Sequence, residues 1–184
     1  MKVKEFLKSK TLKCILVLLC IALISGAVLS ICNDLLKVTD DEKALRTIES
    51  IYGKSMEYEE ISTSFSLDKG VIDKVYKLSD GNYLIKATGN GGYQNGTVTV
   101  WAVAEFNDGE YTKIRDVNIE SYEKQTLMSN FTQSELSKFD DITDGDYNIV
   151  VSGATKSSKA LNNAVNTIKT FVIEKLSNSS GRTE

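Results

Sequence analysis

The sequence predicts an α+β protein in which an N-terminal transmembrane helix precedes a small mixed-sheet domain that ends in an amphipathic helix. Three observations predict it: an uncharged apolar run near the N-terminus, two pairs of apolar segments joined by Asp-Gly turns, and a helical repeat of apolar residues near the C-terminus. With 184 residues, 26% of them charged and 41% hydrophobic, the chain can form one globular domain and an appendage.

The apolar run covers residues 14–33 and contains no charged side chain. About 20 residues at a rise of roughly 1.5 Å each just cross a hydrocarbon core of about 30 Å. Lysines dominate the residues before the run and aspartates those after it, so the positive-inside rule places the N-terminus in the cytoplasm. We therefore predict a single-pass protein of the cell membrane, with the lipid bilayer as a partner. It is divided into a cytoplasmic basic segment (1–13), the transmembrane helix (14–33), an extracytoplasmic domain (34–176) and a polar tail (177–184).

A cleaved signal peptide is the alternative interpretation of this run, because Ser25, Gly26 and Ala27 are small residues at which a peptidase could cut. Apolar residues continue as far as Ile31, beyond the usual length of a signal core, which favours an uncleaved anchor. A lipoprotein site at Cys32 would need a small residue before the cysteine, and Ile31 is bulky.

A helix is predicted directly after the run, in the sequence TDDEKALRTIESIYG that starts at Thr39. Thr39 and Glu42 have the spacing of a capping box, and apolar residues recur at helical intervals up to a terminating glycine.

Two hairpins are predicted next, VIDKVYKL with YLIKATG and TVTVWAVAEF with YTKIRDVNI, because each pair flanks an Asp-Gly turn. TVTVWAVAEF carries bulky residues on both faces, which is typical of a central strand.

The last third of the chain predicts a short capped helix at 132–138, an aspartate-rich solvated loop at 140–146 and a short buried strand in NIVV at 148–151. Asp140, Asp144 and Gly145 partly match a calcium-binding loop, but Ile142 stands where a ligand oxygen is needed. An amphipathic helix follows. Its predicted core face consists of Leu161, Ala164, Val165, Ile168, Phe171 or Val172, and Leu176.

Composition excludes several functions. The absence of histidine removes imidazole-activated nucleophiles and imidazole metal sites, and all three cysteines lie in or beside the apolar run. With a net charge of -3 and no basic face beyond residue 13, we expect no nucleic-acid partner. The adjacent acidic pairs are more simply interpreted as solvated surface than as an acid/base site, so we expect no stand-alone catalyst.

The turn before the last helix is the segment best suited to bind a ligand. Free backbone N–H groups and the helix dipole favour an anion there, a glycine permits close approach, and nearby hydroxyls could add donors. An ordinary helix cap is the alternative interpretation. The candidate residues are Ser152, Gly153, Ala154, Thr155, Ser157 and Ser158.

SGATKSS followed by KALNNAVNTI resembles the SGAT-x-[ST]-S…AV motif of the FMN-binding domains in the peripheral flavin subunits of Rnf-type and sodium-pumping NADH:quinone reductase complexes. The glycine-rich sequence GNGGYQNG at 89–96, running into TVTVWAVAEF, is similar to that family's loop and central strand. The membrane helix ahead of an extracytoplasmic domain also matches. The likeness covers most of residues 35–176.

This resemblance implies an FMN-binding electron-transfer protein, in which a flavin transferase esterifies the FMN phosphate onto Thr155 and other membrane oxidoreductase subunits are partners. It adds Gly92 and Thr126 to the cofactor-binding residues. The apolar or aromatic side chains that could flank the flavin ring are Tyr93, Trp101 and Leu127, and the alternative interpretation of each, which its residue type favours, is a core residue.

Two positions depart from the family pattern. Ile149 stands where the family usually has an acidic residue or asparagine, and QTLM at 125–128 replaces a Glu-Thr-Pro-Gly stretch. The alternative hypothesis is therefore a flavin-free binding or assembly module that retains the fold.

Overall fold

The computed structural model describes residues 10–36, 38–140, 142 and 145–177, in two compact units of residues 1–43 and 44–184. Most of the predicted basic segment and polar tail lie outside the described residues, and so does Asp144 of the aspartate-rich loop.

Helix α1 spans Lys10–Leu36 and contains the predicted apolar run. Its stretch Leu12–Cys32 is long and apolar enough to cross a membrane, and none of it is buried within the protein. A signal sequence near an N-terminus would have the same length and composition. The structure therefore supports a candidate membrane span and leaves its orientation as a prediction.

Helix α2 spans Asp40–Tyr52, and the predicted capping box is present at its start. The Thr39 N–H donates to the Glu42 carboxylate, and the Glu42 N–H donates to the Thr39 hydroxyl, both at 3.3 Å. Gly53 ends the helix with φ of 66°, and its N–H donates to the Glu49 carbonyl at 2.9 Å.

One sheet of six strands forms the centre of the second unit, and each strand pairing is antiparallel. The strand order is β1-β3-β4-β5-β6, and β2 pairs with β3 beside β1. The two predicted hairpins are β3 with β4 and β5 with β6. The strands are β1 (Tyr58–Glu60), β2 (Phe65–Leu67), β3 (Gly70–Leu78), β4 (Tyr83–Gly89), β5 (Val98–Asn107) and β6 (Glu110–Tyr122).

Strand β5 is an interior strand with two buried faces, as predicted. Val98, Val100, Ala102 and Ala104 belong to a large apolar cluster that also contains the buried residues of the C-terminal helix. Trp101 and Val103 belong to a second cluster, which includes Ala44 and Ile48 of α2. Because side chains alternate along a strand, each face of the sheet buries its own helix.

The predicted helices of the last third are confirmed. The short helix α3 (Gln133–Leu136) continues into a 3₁₀ turn at Ser137–Phe139. Helix α4 (Thr155–Phe171) continues into a π-helical turn at Val172–Leu176. The whole predicted core face of α4 is buried against the sheet.

The predicted strand at 148–151 is wrong. The segment is extended, with Val151 buried and Asn148 and Val150 exposed, yet it pairs with no strand among the described residues. The short apolar run at 149–151 indicated a buried strand, but it could not identify the neighbour. Here that neighbour is helix α4.

Side chains of α4 take the place of a neighbouring strand. Three of them, spaced one helical turn apart, form hydrogen bonds with the main chain of every second residue of the segment. An asparagine amide supplies both a donor and an acceptor, so it can pair with the N–H and the C=O of one residue. We call this set the asparagine ladder. Its bonds join Tyr147 to Asn166 (2.7 and 3.0 Å), Ile149 to Asn162 (3.0 and 2.7 Å), and the Val151 N–H to the Ser158 hydroxyl (3.0 Å).

Replacing Asn162 by alanine is expected to lower the free energy of unfolding by about 1–3 kcal/mol, because the N–H and C=O of Ile149 lose their partners. Asn163→Ala is the matched control. It makes the same change in helix propensity but removes only one bond, from a half-exposed amide to the Asn90 carbonyl. Chemical denaturation of the full chain in detergent measures both variants, and equal losses would contradict a role for the ladder.

Candidate functional site

The SGAT sequence forms a tight turn that leads directly into α4. The Ala154 N–H donates to the Val151 carbonyl at 3.0 Å, and Gly153 has φ of 78°, a conformation that glycine adopts without strain. Thr155 is the first residue of α4 and Ala154 is its N-cap residue, and within the described residues no side-chain hydrogen bond caps this helix start. The amides of the first helical turn therefore keep their capacity to bind an anion.

The serines of the motif hold the turn together. Ser158 is buried, donates to the Ala154 carbonyl at 3.0 Å and accepts from the Val151 N–H. Ser157 is also buried and donates to the Thr126 carbonyl at 3.2 Å. Both hydroxyls, expected from the sequence to be donors to a ligand, are used inside the protein.

Thr155 is exposed and lines a groove of about 560 Å³ between α4 and the extended segment. No hydrogen bond engages its hydroxyl within the described residues. Lys156 and Lys159 line the same groove, as do Asp146 and Asn148. The two lysines place positive charge beside the threonine, as an anionic ligand requires.

Ile149 lies turned away from the groove, partly buried and packed against the large apolar cluster. Its neighbour Asn148 is exposed and lines the groove. Asn148 and Ile149 therefore lie on opposite faces of the extended chain, Asn148 towards the groove and Ile149 towards the core.

The glycine-rich loop approaches the same helix. A Cβ on Gly89 would lie 2.1 Å from the Ala160 carbonyl oxygen and 2.3 Å from the Ala164 nitrogen, so only glycine fits between β4 and α4. The Asn163 amide donates to the Asn90 carbonyl at 2.8 Å. The loop is therefore held against α4 at Ala160, Asn163 and Ala164, and Asn163 also lines the groove.

Gln125 connects this loop to residues 123–127, the segment that follows β6. Its carbonyl accepts from the Tyr93 N–H at 3.0 Å, and its amide donates to the carbonyls of Glu123 (2.9 Å) and Tyr93 (3.4 Å). A Cβ on Gly92 would lie 2.6 Å from the Gln125 amide. Thr126 follows directly and contacts Ser157, so the structure brings Thr126 to the start of α4, whereas Gly92 packs against Gln125.

Two of the three side chains predicted to flank a flavin ring, Tyr93 and Leu127, are exposed to solvent, although neither lines the groove beside Thr155. Tyr93 is 39% exposed, and its main chain bonds to Gln125. Leu127, two residues after Gln125, is 55% exposed. The prediction for Trp101 is wrong, because it is buried in the cluster with α2, on the face of the sheet away from α4.

Sequence reasoning did not select Gln125, Lys156, Lys159 or Asn148. The two lysines could have been found from their spacing, since Lys156 and Lys159 are three positions apart and such residues lie on one side of a helix. Gln125 gave no such signal in the sequence. Tyr93 is 32 residues away from it, and its bonds to Tyr93 and Glu123 are all to main-chain atoms, which no residue pattern reveals.

Comparison of the chain with known protein families, with curated proteins and with solved structures finds no match.

The residues present fit the phosphate end of FMN. An exposed threonine hydroxyl, unpaired helical amides and two lysines form a donor set suited to a phosphate or its ester. Gly153 leaves the main chain accessible. Val150 supplies an exposed apolar side chain to the same groove as Thr155.

Proposed function

We propose that this protein is a membrane-anchored electron-transfer protein that carries FMN at the SGAT turn, as a phosphoester on Thr155. The observation that carries the proposal is the position of Thr155, an exposed residue at the start of α4 on a groove that contains Lys156 and Lys159. Helix α1 would anchor it with the second unit outside the membrane, where other oxidoreductase subunits would exchange electrons with it.

Attachment requires a flavin transferase and FAD. The Thr155 hydroxyl would accept the FMN phosphoryl group of FAD, with AMP as the leaving group and the hydroxyl proton released to solvent. The chain would contribute orientation and charge. The first-turn amides of α4 would bind the phosphate, and Lys156 and Lys159 would offset its negative charge. Once attached, FMN supplies reversible electron transfer.

The ladder and the buried serines position the threonine. Ser158 fixes both the turn and the extended segment, and Ser157 fixes Thr126. Because these groups are buried, they hold Thr155 in one orientation relative to the groove. A single orientation suits an enzyme that must recognise the motif in the folded chain.

A second candidate function is a flavin-free binding or assembly module. The observation that favours it is the use of both serine hydroxyls inside the protein, together with the inward position of Ile149. In that case the groove would bind another anion, or a protein partner with an acidic surface.

Co-expression of the full chain with a flavin transferase tests the proposal. We expect a fluorescent band at the mass of the protein on a denaturing gel and an intact mass that includes one FMN. Co-expression without the transferase is the control and should give a dark band. A dark band with the transferase present, from colourless native protein, would favour the flavin-free module.

A further inference from the structure

Three exposed apolar side chains lie together at one end of the sheet. Tyr122 (52% exposed) ends β6, and Leu127 (55%) lies in the segment that follows it. Tyr93 (39%) lies in the loop before β5, and its N–H donates to Gln125 of that segment at 3.0 Å. We call these three side chains the end patch. Exposed apolar side chains that are grouped on a surface, rather than scattered singly, mark an interaction site.

The composition of the end patch favours an amphiphilic partner over a charged one. Glu123 and Lys124 are both exposed and carry opposite charges, so residues 122–127 have no net charge. Two of the three side chains are tyrosines, which combine an apolar ring with a polar hydroxyl. This residue type is enriched where a membrane meets water.

The chain enters the second unit from the side of the end patch. Because the strand pairings are antiparallel, the two Asp-Gly turns lie at the opposite end of the sheet. The last residue of α2, Tyr52, is bonded there, since its hydroxyl accepts from the Asn82 amide at 3.3 Å. Ala44 and Ile48 come earlier in α2 and share a cluster with Trp101, which lies further from the turns. Helix α2 therefore runs from the direction of the end patch towards the turns.

Few residues separate α1 from α2, so the chain keeps the second unit close to a bilayer that α1 spans. The apolar stretch ends at Cys32, and α1 continues to Leu36, which adds roughly 6 Å of helix. The residues between Leu36 and the start of α2 at Asp40 extend over at most about 11 Å. The head-group layer is itself about 5–8 Å thick. An apolar surface on the entry side of the domain is therefore within reach of the head groups.

We propose that the end patch inserts into the head-group region of the bilayer that α1 spans. This inference rests on the membrane anchor of the proposed function and does not depend on flavin. Insertion removes the rings of Tyr93 and Tyr122 and the side chain of Leu127 from water, while the tyrosine hydroxyls stay at the polar boundary. The domain then has two attachments to the membrane, the covalent one through α1 and the apolar one through the end patch. Together they restrict its rotation.

Tryptophan reporters in the full chain test this proposal. Tyr122→Trp is reconstituted into phosphatidylcholine vesicles with or without bromine on the acyl chains, because bromine quenches tryptophan only at close range. Thr112→Trp is the matched control, since Thr112 is exposed near the other end of the same strand. The native chain gives the baseline of its one tryptophan, the buried Trp101. We expect the fractional loss of the added emission to be roughly threefold larger in Tyr122→Trp than in Thr112→Trp.

Leu127→Asn distinguishes insertion from simple proximity to the bilayer. Asparagine adopts the left-handed conformation of Leu127 (φ of 58°) more readily than leucine does, but it has no apolar side chain. Combined with Tyr122→Trp, it should reduce the quenching by about half. Unchanged quenching would show that the short connection alone brings the reporter near the lipid, and it would overturn the proposal. If Tyr122→Trp does not fold, Tyr93→Trp is the second reporter.

Ile24→Trp separates failure of the patch from failure of the anchor, because Ile24 lies within the apolar stretch of α1. Quenching of Ile24→Trp without quenching of Tyr122→Trp would overturn the role of the end patch and leave the anchor standing. An unquenched Ile24→Trp would overturn both. A Tyr122→Trp reporter that brominated lipid does not quench, yet that is shielded from acrylamide in water, would indicate a protein partner and would also overturn the proposal.

Discussion

Replacing Thr155 by valine is expected to reduce covalent flavin fluorescence to background. Valine keeps the β-branched shape of threonine but has no hydroxyl to accept the phosphoryl group. Because Thr155 is exposed and its hydroxyl makes no hydrogen bond within the described residues, the free energy of unfolding should change by less than about 0.5 kcal/mol. The measurement is gel fluorescence with intact mass, after co-expression with a flavin transferase.

Thr112→Val is the matched control for this experiment. Thr112 is an exposed residue of β6, where valine is well tolerated, and it should be labelled like the native chain. Full labelling of Thr155→Val would show that the ester forms elsewhere. If the valine variant instead retains FMN that can be removed by dialysis, the domain is a reversible flavin binder rather than a covalent one.

Replacing Gly89 by alanine is expected to lower the free energy of unfolding by about 3 kcal/mol, because the added methyl group has no space. The new Cβ would meet the Ala160 carbonyl oxygen and the Ala164 nitrogen, both atoms of the α4 main chain. Main-chain atoms cannot rotate away, so α4 would have to move from the sheet and disturb the large apolar cluster. Thermal or chemical denaturation of the full chain in detergent measures the loss.

Gly109→Ala separates this steric effect from ordinary glycine strain. Gly109 lies in the turn between β5 and β6 with φ of 82°, and no atom lies within 4 Å of a Cβ built there. Alanine at that position should cost roughly 1–2 kcal/mol through its left-handed conformation alone. A loss at Gly89 no larger than that at Gly109 would contradict the close packing of β4 against α4.

These two variants act on the candidate site in different ways. Thr155→Val removes one chemical group from an intact groove. Gly89→Ala displaces the helix whose first turn supplies the amides and the threonine, so labelling should also fall, together with stability. Comparison of the two therefore distinguishes the loss of the acceptor from the loss of its support.

The sequence by itself determined the elements that follow from local periodicity and turn chemistry. The capping box at Thr39, both Asp-Gly hairpins, the two-faced strand β5 and the buried face of α4 were all predictable. Each depends on residues a few positions apart, which the spacing of apolar and turn-forming residues specifies directly. The SGAT turn was predictable as a helix start for the same reason.

Only the tertiary structure decided which distant groups meet. The short apolar run in NIVV indicated a buried strand, but the asparagine ladder of α4, not a neighbouring strand, satisfies its main chain. Likewise, Trp101 faces away from α4 and Gln125 joins two loops, because partners far apart in the sequence leave no periodic signal. Local patterns fix each element, whereas long-range packing and hydrogen bonding determine which side chains are available at the site.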